Sequence, residues 1–515
     1  MLDSSRLFRT LKYLIIVLLF LFAVHLLNRP SYREKYTEIL RSFKDEKRLF
    51  VDDFLENEID GRFDGRELAK LCRSKKWHPE NRAVILSCQP MPGGIGEVKN
   101  GHLHCIRFAI EIGAQLVLPR ITRRSPADIS NLYGEQQAKG QPLDYMFQSQ
   151  HLLTALNTHC PQMKVHASLD DLYDRPSLLK PLPVSLNMLT DQFANIDNEL
   201  VPVIPDPATA RRKFDEVYDR ELPLEGRRYP VRVELQTTPF VWPAAADGDE
   251  FRRDFGRLLR VREDVRMLAA SGLYNLAKRF GVPHDPRRGI GHHEGGGSGS
   301  GSGKHGRNGT DTSTGTGTMF LGVHLRTEKD VWYRELGFPD YEAQTFYFFN
   351  HLESLAGDGL GGGRVVYLAT GLLPGDDDVR KFRARAAELG ATVVTKRDVL
   401  GPGEVAMLNN HLTWDQRALV DYEIMLRVGF MMGVVESSFA WNLAMRRGNV
   451  YGGGGGGGVG GVGPEYGGYI GFSEEKPWDF NTSLDPEMVV MWRDRYTTLY
   501  GRASRAVAMF NGIWP

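Results

Sequence analysis

His324 and Arg326, in the segment MFLGVHLRTEKD, are the residues of this chain whose types and spacing most suggest chemistry. They alternate along a strand and so face the same side. A guanidinium is planar and always charged, and it can hold two oxygens of one anion at once. Arg326 could instead be a strand-end arginine paired with a carboxylate, and His324 a hydrogen-bonded structural histidine. Farther along, Ser437 and Ser438 stand where the apolar run FMMGVVES passes into the helix-like FAWNLAMRR. N–H groups and hydroxyls at such a junction make an anion site, although a plain serine cap needs no ligand.

Glu97 follows Gly93, Gly94 and Gly96, which predicts a loop whose bare backbone lets a ligand approach closely. A carboxylate there could act as general base, taking the proton of an acceptor hydroxyl aligned opposite a departing phosphate. The competing role is a loop carboxylate paired with Lys99. Asp421 lies mid-helix in LVDYEIML, where an inward-facing acid needs a partner. Asp376, Asp377 and Asp378 spell a D-x-D metal signature, but they follow Pro374-Gly375 and open the run VRKFRARAAEL, so they are expected to cap a helix. The tract 452–463 contains no lysine, serine or threonine, which excludes a phosphate-binding loop. Cys72, Cys88, Cys105 and Cys160 show no zinc-binding spacing.

These groups must be held by a scaffold, and the hydrophobic pattern supplies one. AVILSC, the glycine-rich turn, LHCIRFAIEIG and QLVLP read as strand, loop, helix and strand, the first half of a parallel, crossover-connected sheet. A helix is expected over Asp144–Cys160 and another over Glu250–Phe280. The stretch 180–243 is proline-rich with no clean period. Beyond residue 318 the alternation is regular. MFLGVHLR, RVVYLAT, ATVVTK and FMMGVVES read as strands, separated by helices over Tyr341–Leu355, Asp377–Leu389 and Asp415–Val428. Such alternation predicts an α/β sheet with helices on both faces.

With 515 residues, 42% of them hydrophobic, the chain has material for two domains, and a small disulfide scaffold is excluded. Lys plus Arg (64) balances Asp plus Glu (64), which gives no reason to expect nucleic acid as a partner. The apolar run Tyr13–Leu27 reads as a transmembrane signal anchor of thin early-secretory membranes, with a cleaved signal peptide as the alternative. Against cleavage, the exit HLLNRPSYREK lacks a small-x-small site. Arg6, Arg9 and Lys12 favour a cytosolic N-terminus, hence a single-pass type II protein of the Golgi or ER membrane with a lumenal body. In an oxidising lumen one or two disulfides are expected, their pairing open. Asn308 and Asn481 are glycosylation sequons.

Three segments resemble the protein O-fucosyltransferase family: GGIGEVKNGHLHCIRFAIEIGAQLVLP at 93–119, VHLRTEKD at 323–330, and ALVDYEIMLRVGFMMGVVESSFAWNLAMRR at 418–447. The resemblance implies a GT-B fold, two Rossmann-like domains facing a cleft, preceded here by the membrane helix. The expected organisation is a cytosolic tail (1–12), the anchor (13–27) and a stem (28–76). An acceptor-side domain (77–290), a Gly/Ser/Thr-rich disordered insertion (291–318) and a donor-binding domain (319–515) with a Gly-rich loop at 452–463 follow. The charged stretch 31–76, with helical runs such as YTEILRSFKDEKRLFVDDFLEN, could instead pack on the body as an N-terminal helical part. The resemblance further implies an inverting glycosyltransferase, metal-independent and without cofactor, moving fucose from GDP-fucose to a hydroxyl of a lumenal protein or glycan. Another donor such as UDP-rhamnose, or a silent sugar- or nucleotide-binding role, would keep the same fold. Glu97 and Arg326 would carry the chemistry. Gly94, Gly96, His324, Arg326, Asp421, Ser437, Ser438 and Phe439 would hold the donor.

Overall fold

The computed structural model describes residues 12–13, 15–18, 44–90, 93–124, 140–172, 174–175, 178, 180–196, 199–223, 227–236, 242–282, 284, 319–328, 340–357, 364–435, 437–451, 468–469, 490–493, 496–501 and 514. The insertion at 291–318, the Gly-rich loop at 452–463 and both sequons, Asn308 and Asn481, lie outside them. So does most of the expected membrane span. Of 13–27 only Tyr13 and residues 15–18 are described, as helical and exposed. Among the described residues no helix is long and apolar enough to cross a membrane.

Two α/β units carry the structure. Helices α1 (44–56) and α2 (Arg66–Ser74) precede β1 (Val84–Cys88). All five residues of β1 are buried, because it has parallel neighbours on both sides and helices over its faces. From Gly94 the chain enters α3 (Ile95–Ile112), then β2 (Gln115–Val117), α4 (Ser149–His159), β3 (Val165–His166) and β4 (Leu182–Val184). The proline-rich stretch holds more order than its sequence suggests. A hairpin of β5 (Gln192–Ile196) and β6 (Glu199–Val203) leads to α5 (Pro207–Glu221), started by Asp206, which accepts from Thr209 N–H at 2.8 Å. Next comes β7 (Val231–Leu235), which pairs in parallel with β1 along all five residues. The resulting sheet runs β3-β2-β1-β7-β4. Helices α6 (Asp249–Phe255) and α7 (Glu263–Phe280) complete the unit. Disulfides Cys88–Cys105 and Cys72–Cys160 tie β1 to α3 and α2 to the end of α4.

The second unit runs β8 (Met319–His324), α8 (Tyr341–Gly357), β9 (Arg364–Ala369), α9 (Asp377–Glu388), β10 (Ala391–Val394), α10 (Lys396–Val399), α11 (Pro402–His411), α12 (Trp414–Met425), β11 (Phe430–Val434), α13 (Ser438–Tyr451), β12 (Gly468–Tyr469), β13 (Val490–Arg493) and β14 (Thr497–Tyr500). The sheet order is β10-β9-β8-β11-β14-β13-β12, parallel as far as β14 and antiparallel beyond it. The chain therefore winds outward one way from β8 through β9 to β10, then returns to the other side of β8 as β11. Ligands of such sheets bind outside the carboxyl ends of the two strands where the order reverses. Here those ends are His324 and Val434.

The units are joined by helices as well as by the chain. Helix α3 meets α13 closely enough that a Cβ on Gly96 would stand 2.0 Å from the Ser438 carbonyl oxygen, and one on Gly94 2.4 Å from the Ser438 hydroxyl. At Gly96 the contact is with backbone, so only glycine fits. Helix α7 packs on α12, and the fully buried Trp514 donates its backbone N–H to Asn100 of α3.

Residues 44–76 do not form a stem; they pack on the body and touch both units. Phe54 of α1 is fully buried, with the Arg427 guanidinium 3.9 Å from its ring centroid. Lys47 pairs with Glu404 at 2.6 Å. Beyond α1, Asp60 accepts two hydrogen bonds from Arg446 at 3.0 Å, and Glu58 pairs with Arg260, Arg266 and Arg446. Burial alone would raise the Asp60 pKa, but the Arg446 charge and hydrogen bond outweigh it and hold the carboxyl well below its usual range. The stabilisation is then full above the unfolded value near 4 and fades as pH falls below it. Arg446→Ala leaves two carboxylates buried without this partner, and the expected loss is about 3–5 kcal/mol in urea unfolding at pH 7. Part of that difference from the wild type should disappear at pH 3.

Candidate active site

A cleft partly open to solvent lies at the carboxyl ends of β8, β9 and β11 and faces the start of α3. It is lined by eight of the nine residues singled out in the sequence: Gly94, Glu97, His324, Arg326, Asp421, Ser437, Ser438 and Phe439. Gly96 is the exception. Its place is the α3–α13 contact, where it allows the close approach that seats Ser438 on the cleft wall.

Strand β8 ends at His324, so Arg326 begins an irregular stretch. Its backbone is pinned by Gln344 of α8, which accepts from Arg326 N–H at 3.0 Å and donates to Arg326 O at 2.6 Å. The guanidinium donates to Glu328 Oε2 at 2.5 Å. Glu328 in turn accepts from Gly371 N–H at 2.6 Å, past the end of β9. Burial would raise the Glu328 pKa, but the Arg326 charge and hydrogen bond outweigh it and keep the carboxyl low. Arg326 thus has the carboxylate partner foreseen as its structural role, in a position that also turns it into the cleft.

His324 is buried, and desolvation pushes its pKa down to about 4, so the ring is neutral at pH 7. Nδ1 lies 3.2 Å from the Ala369 carbonyl oxygen and Nε2 lies 2.9 Å from Ser437 Oγ. A carbonyl only accepts, which places the proton on Nδ1 and makes Nε2 the acceptor of the Ser437 hydroxyl. The Phe439 ring, 4.4 Å away between centroids, covers the imidazole. Ser437 N–H donates to Val434 O at 3.2 Å, so the turn out of β11 closes tightly before α13. The first turn of that helix therefore points its positive end at the cleft, close to Arg326.

The first unit supplies the facing wall. Glu97 is not on a loop. It occupies the first turn of α3, where its Oε2 accepts the Gly94 N–H at 2.6 Å. This capping bond, a sequence-local feature, holds the carboxylate at the cleft. Lys99, its expected partner, is buried elsewhere, where Asp60, Glu423 and Glu58 attract it and burial and Arg446 lower its pKa to about 7. Arg124, after β2, donates from Nε to Gly93 O at 3.1 Å, and its backbone N–H donates to Asp415 Oδ2 at 3.1 Å. The same Asp415 oxygen accepts the Tyr145 hydroxyl at 3.1 Å. Trp414 closes this side, with the Arg124 guanidinium 5.6 Å from its ring centroid.

Asp421, inward on α12, has the partners that its burial demands. It accepts the Tyr367 hydroxyl at 2.7 Å and pairs with Lys396, whose ammonium also donates to Thr370 O at 2.9 Å. Burial raises its pKa, against the pull of Lys396. The triplet 376–378 serves α9. Asp376 accepts the Leu373 N–H at 2.7 Å, Asp377 pairs with Arg380, and Asp378 accepts the Thr327 hydroxyl at 2.6 Å. Among the described residues no group of three or more His, Cys, Asp or Glu side chains is placed to hold a metal ion.

Sequence reasoning missed Glu328, Gly371, Arg124, Trp414 and Asp415. The first two had a signal, since Glu328 is two residues beyond Arg326 and Gly371 ends the strand RVVYLAT. Arg124 had none, because nothing in PRITRRS tells which arginine turns inward.

Two Rossmann-like units, with the Ser437–Ser438 turn at the switch point of one facing the Glu97 carboxylate of the other across one cleft, define the class: a GT-B-like fold, the architecture of nucleotide-sugar transferases. The chain belongs to the GDP-fucose protein O-fucosyltransferase family, whose defining pattern matches residues 84–449, and that is a family of glycosyltransferases. No curated protein matches it. Solved structures similar to it include POFUT1 in complex with GDP-fucose, at 13% identity and TM-score 0.39, covering 72% of this chain and 95% of that one. Fucosyltransferase NodZ from Bradyrhizobium is 12% identical, with TM-score 0.32 and coverage of 71% and 93%. An Arabidopsis thaliana FUT1 mutant in complex with GDP is 10% identical, with TM-score 0.36 and coverage of 75% and 73%.

A histidine with a depressed folded pKa stabilises the fold above the unfolded value near 6.5, and this contribution is lost as pH falls toward about 4. Across that window His324 should cost the wild type about 3 kcal/mol that His324→Asn does not lose. Urea unfolding of both proteins at pH 7.5 and pH 4.5 measures the difference.

Proposed function

We propose that the chain is an inverting glycosyltransferase that moves fucose from GDP-fucose to a hydroxyl of a lumenal protein or glycan. One observation carries this reading: Arg326 and the Ser437–Ser438 turn meet at the switch point of the second sheet, and the Glu97 carboxylate faces the same cleft from the first unit. The donor diphosphate lies across the N-terminus of α13, gripped by Arg326. The Glu97 carboxylate takes the acceptor proton as the acceptor oxygen bonds to C1 of the sugar. The bond from C1 to the β-phosphate oxygen breaks with inversion, and its electrons leave with GDP. Arg326 and the helix dipole stabilise the charge that grows on the leaving group. The neutral His324 holds the Ser437 hydroxyl in place, and Asp421 and Phe439 border the donor.

Membrane attachment through 13–27, and a Golgi or ER lumenal site, belong to the same proposal. The paired cysteines suit an oxidising compartment.

Glutamine at position 97 still caps α3, so Glu97→Gln separates folding from proton transfer. Its kcat with GDP-fucose should fall about 10²–10⁴-fold while GDP affinity stays within about twofold of the wild type. Release of GDP from GDP-fucose, and not of UDP from UDP sugars, in the presence of acceptor is the readout. Undiminished turnover in Glu97→Gln removes the base from this mechanism.

A further inference from the structure

We infer that Arg124, from the acceptor-side unit, is a second diphosphate-binding cation that grips the nucleotide from the wall opposite Arg326. The inference rests on the donor reading above and extends it to a residue on the other unit.

Gly94 marks the place. An arginine Nη2 of Arg124, the hydroxyl of Ser438 and the carboxylate of Glu97 all lie within 4 Å of the point where a Cβ on Gly94 would stand, at 3.6, 2.4 and 3.8 Å. Three groups of the site, two from the first unit and one from the second, therefore converge on one bare stretch of backbone. Arg124 is 5% exposed and lines the cleft. Its position is fixed at both ends, by the hydrogen bond from Nε to Gly93 O and by that from its backbone N–H to Asp415. The ring of Trp414 packs beside the guanidinium plane.

Charge arithmetic makes the same point. The cleft is lined by four carboxylates, Glu97, Glu328, Asp415 and Asp421, against two guanidiniums, Arg124 and Arg326. Lys396 pairs with Asp421, and Arg326 is already bonded to Glu328. A nucleoside diphosphate brought into such a site meets repulsion that Arg326 alone, half committed to Glu328, does not offset. Arg124 adds a second positive charge from the opposite wall, its Nη2 3.6 Å from the Gly94 Cβ point while Nε stays on Gly93 O and 3.8 Å from Asp415. Because Arg124 and Arg326 sit on different units, a bound diphosphate bridges the two halves of the cleft.

Calorimetric titration of the wild type, Arg124→Ala, Arg124→Lys and Arg326→Ala with GDP and with guanosine tests this. Arg124→Ala should weaken GDP at least tenfold and guanosine less than twofold, with Arg124→Lys recovering part of the loss. GDP affinity within twofold of the wild type, or equal losses for GDP and guanosine, would overturn the inference, the second outcome marking a scaffold role. If Arg326→Ala then loses GDP while Arg124→Ala does not, the donor reading stands and this extension fails. A wild type that binds neither ligand removes both. Should Arg124→Ala not fold, Arg124→Gln, which keeps a donor for Gly93 O, is read by the same criteria.

Discussion

The hydrogen bond from Ser437 to His324 closes the place in the second sheet where two diverging chain paths meet. Strand β8 and strand β11 lie side by side, but the chain leaves them toward opposite flanks of the sheet, and the gap that results is where a ligand can enter. The neutral imidazole, held by Ala369 O on one nitrogen and by Ser437 on the other, ties the ends of β8, β9 and β11 together. Arg326 follows directly on one strand and the N-terminus of α13 on another. Their convergence is thus a property of strand order, fixed before any ligand arrives.

The facing wall depends on a second constraint, the absence of side chains at Gly94 and Gly96. A Cβ on Gly96 would collide with the Ser438 backbone and one on Gly94 would crowd the Ser438 hydroxyl, so the close approach of the two units depends above all on a bare Gly96. The same approach brings Glu97 to the cleft as a cap of its own helix. Around this contact the structure invests heavily in buried charge. Arg446 with Asp60 and Glu58, and Lys396 with Asp421, join different elements, while Arg427 pairs with Glu423 one turn back at the end of α12. Such pairs add little net stability over apolar packing, but breaking one is costly, so they favour one relative placement of the elements over others.

Much of this was legible in the sequence. The strands and helices of the second unit followed the alternation of apolar runs closely, because parallel strands buried on both faces read as continuous hydrophobic segments. His324, Arg326, Ser437 and Ser438 were found because they stand at strand ends, where the pattern itself breaks. The strand β7 was not found. Its Arg232 and Glu234 interrupt the apolar run, and only the tertiary neighbourhood of β1 and β4 explains why VRVEL is a central strand. The stem expected over 28–76 failed over 44–76 for a related reason, since its charged residues look solvated until Arg260, Arg266 and Arg446, all far along the chain, come into contact with them. Arg124 and Asp415 were illegible because their meaning is purely one of position across the cleft.

The central claim is that a single diphosphate is held where the end of β8, the turn before α13 and the start of α3 converge. A crystal structure of the chain grown with GDP tests it most directly. The account predicts both phosphates between the Arg326 guanidinium and the first-turn N–H groups of α13, with the Ser438 hydroxyl in contact. GDP bound elsewhere, or with its phosphates turned away from Arg326, would contradict it.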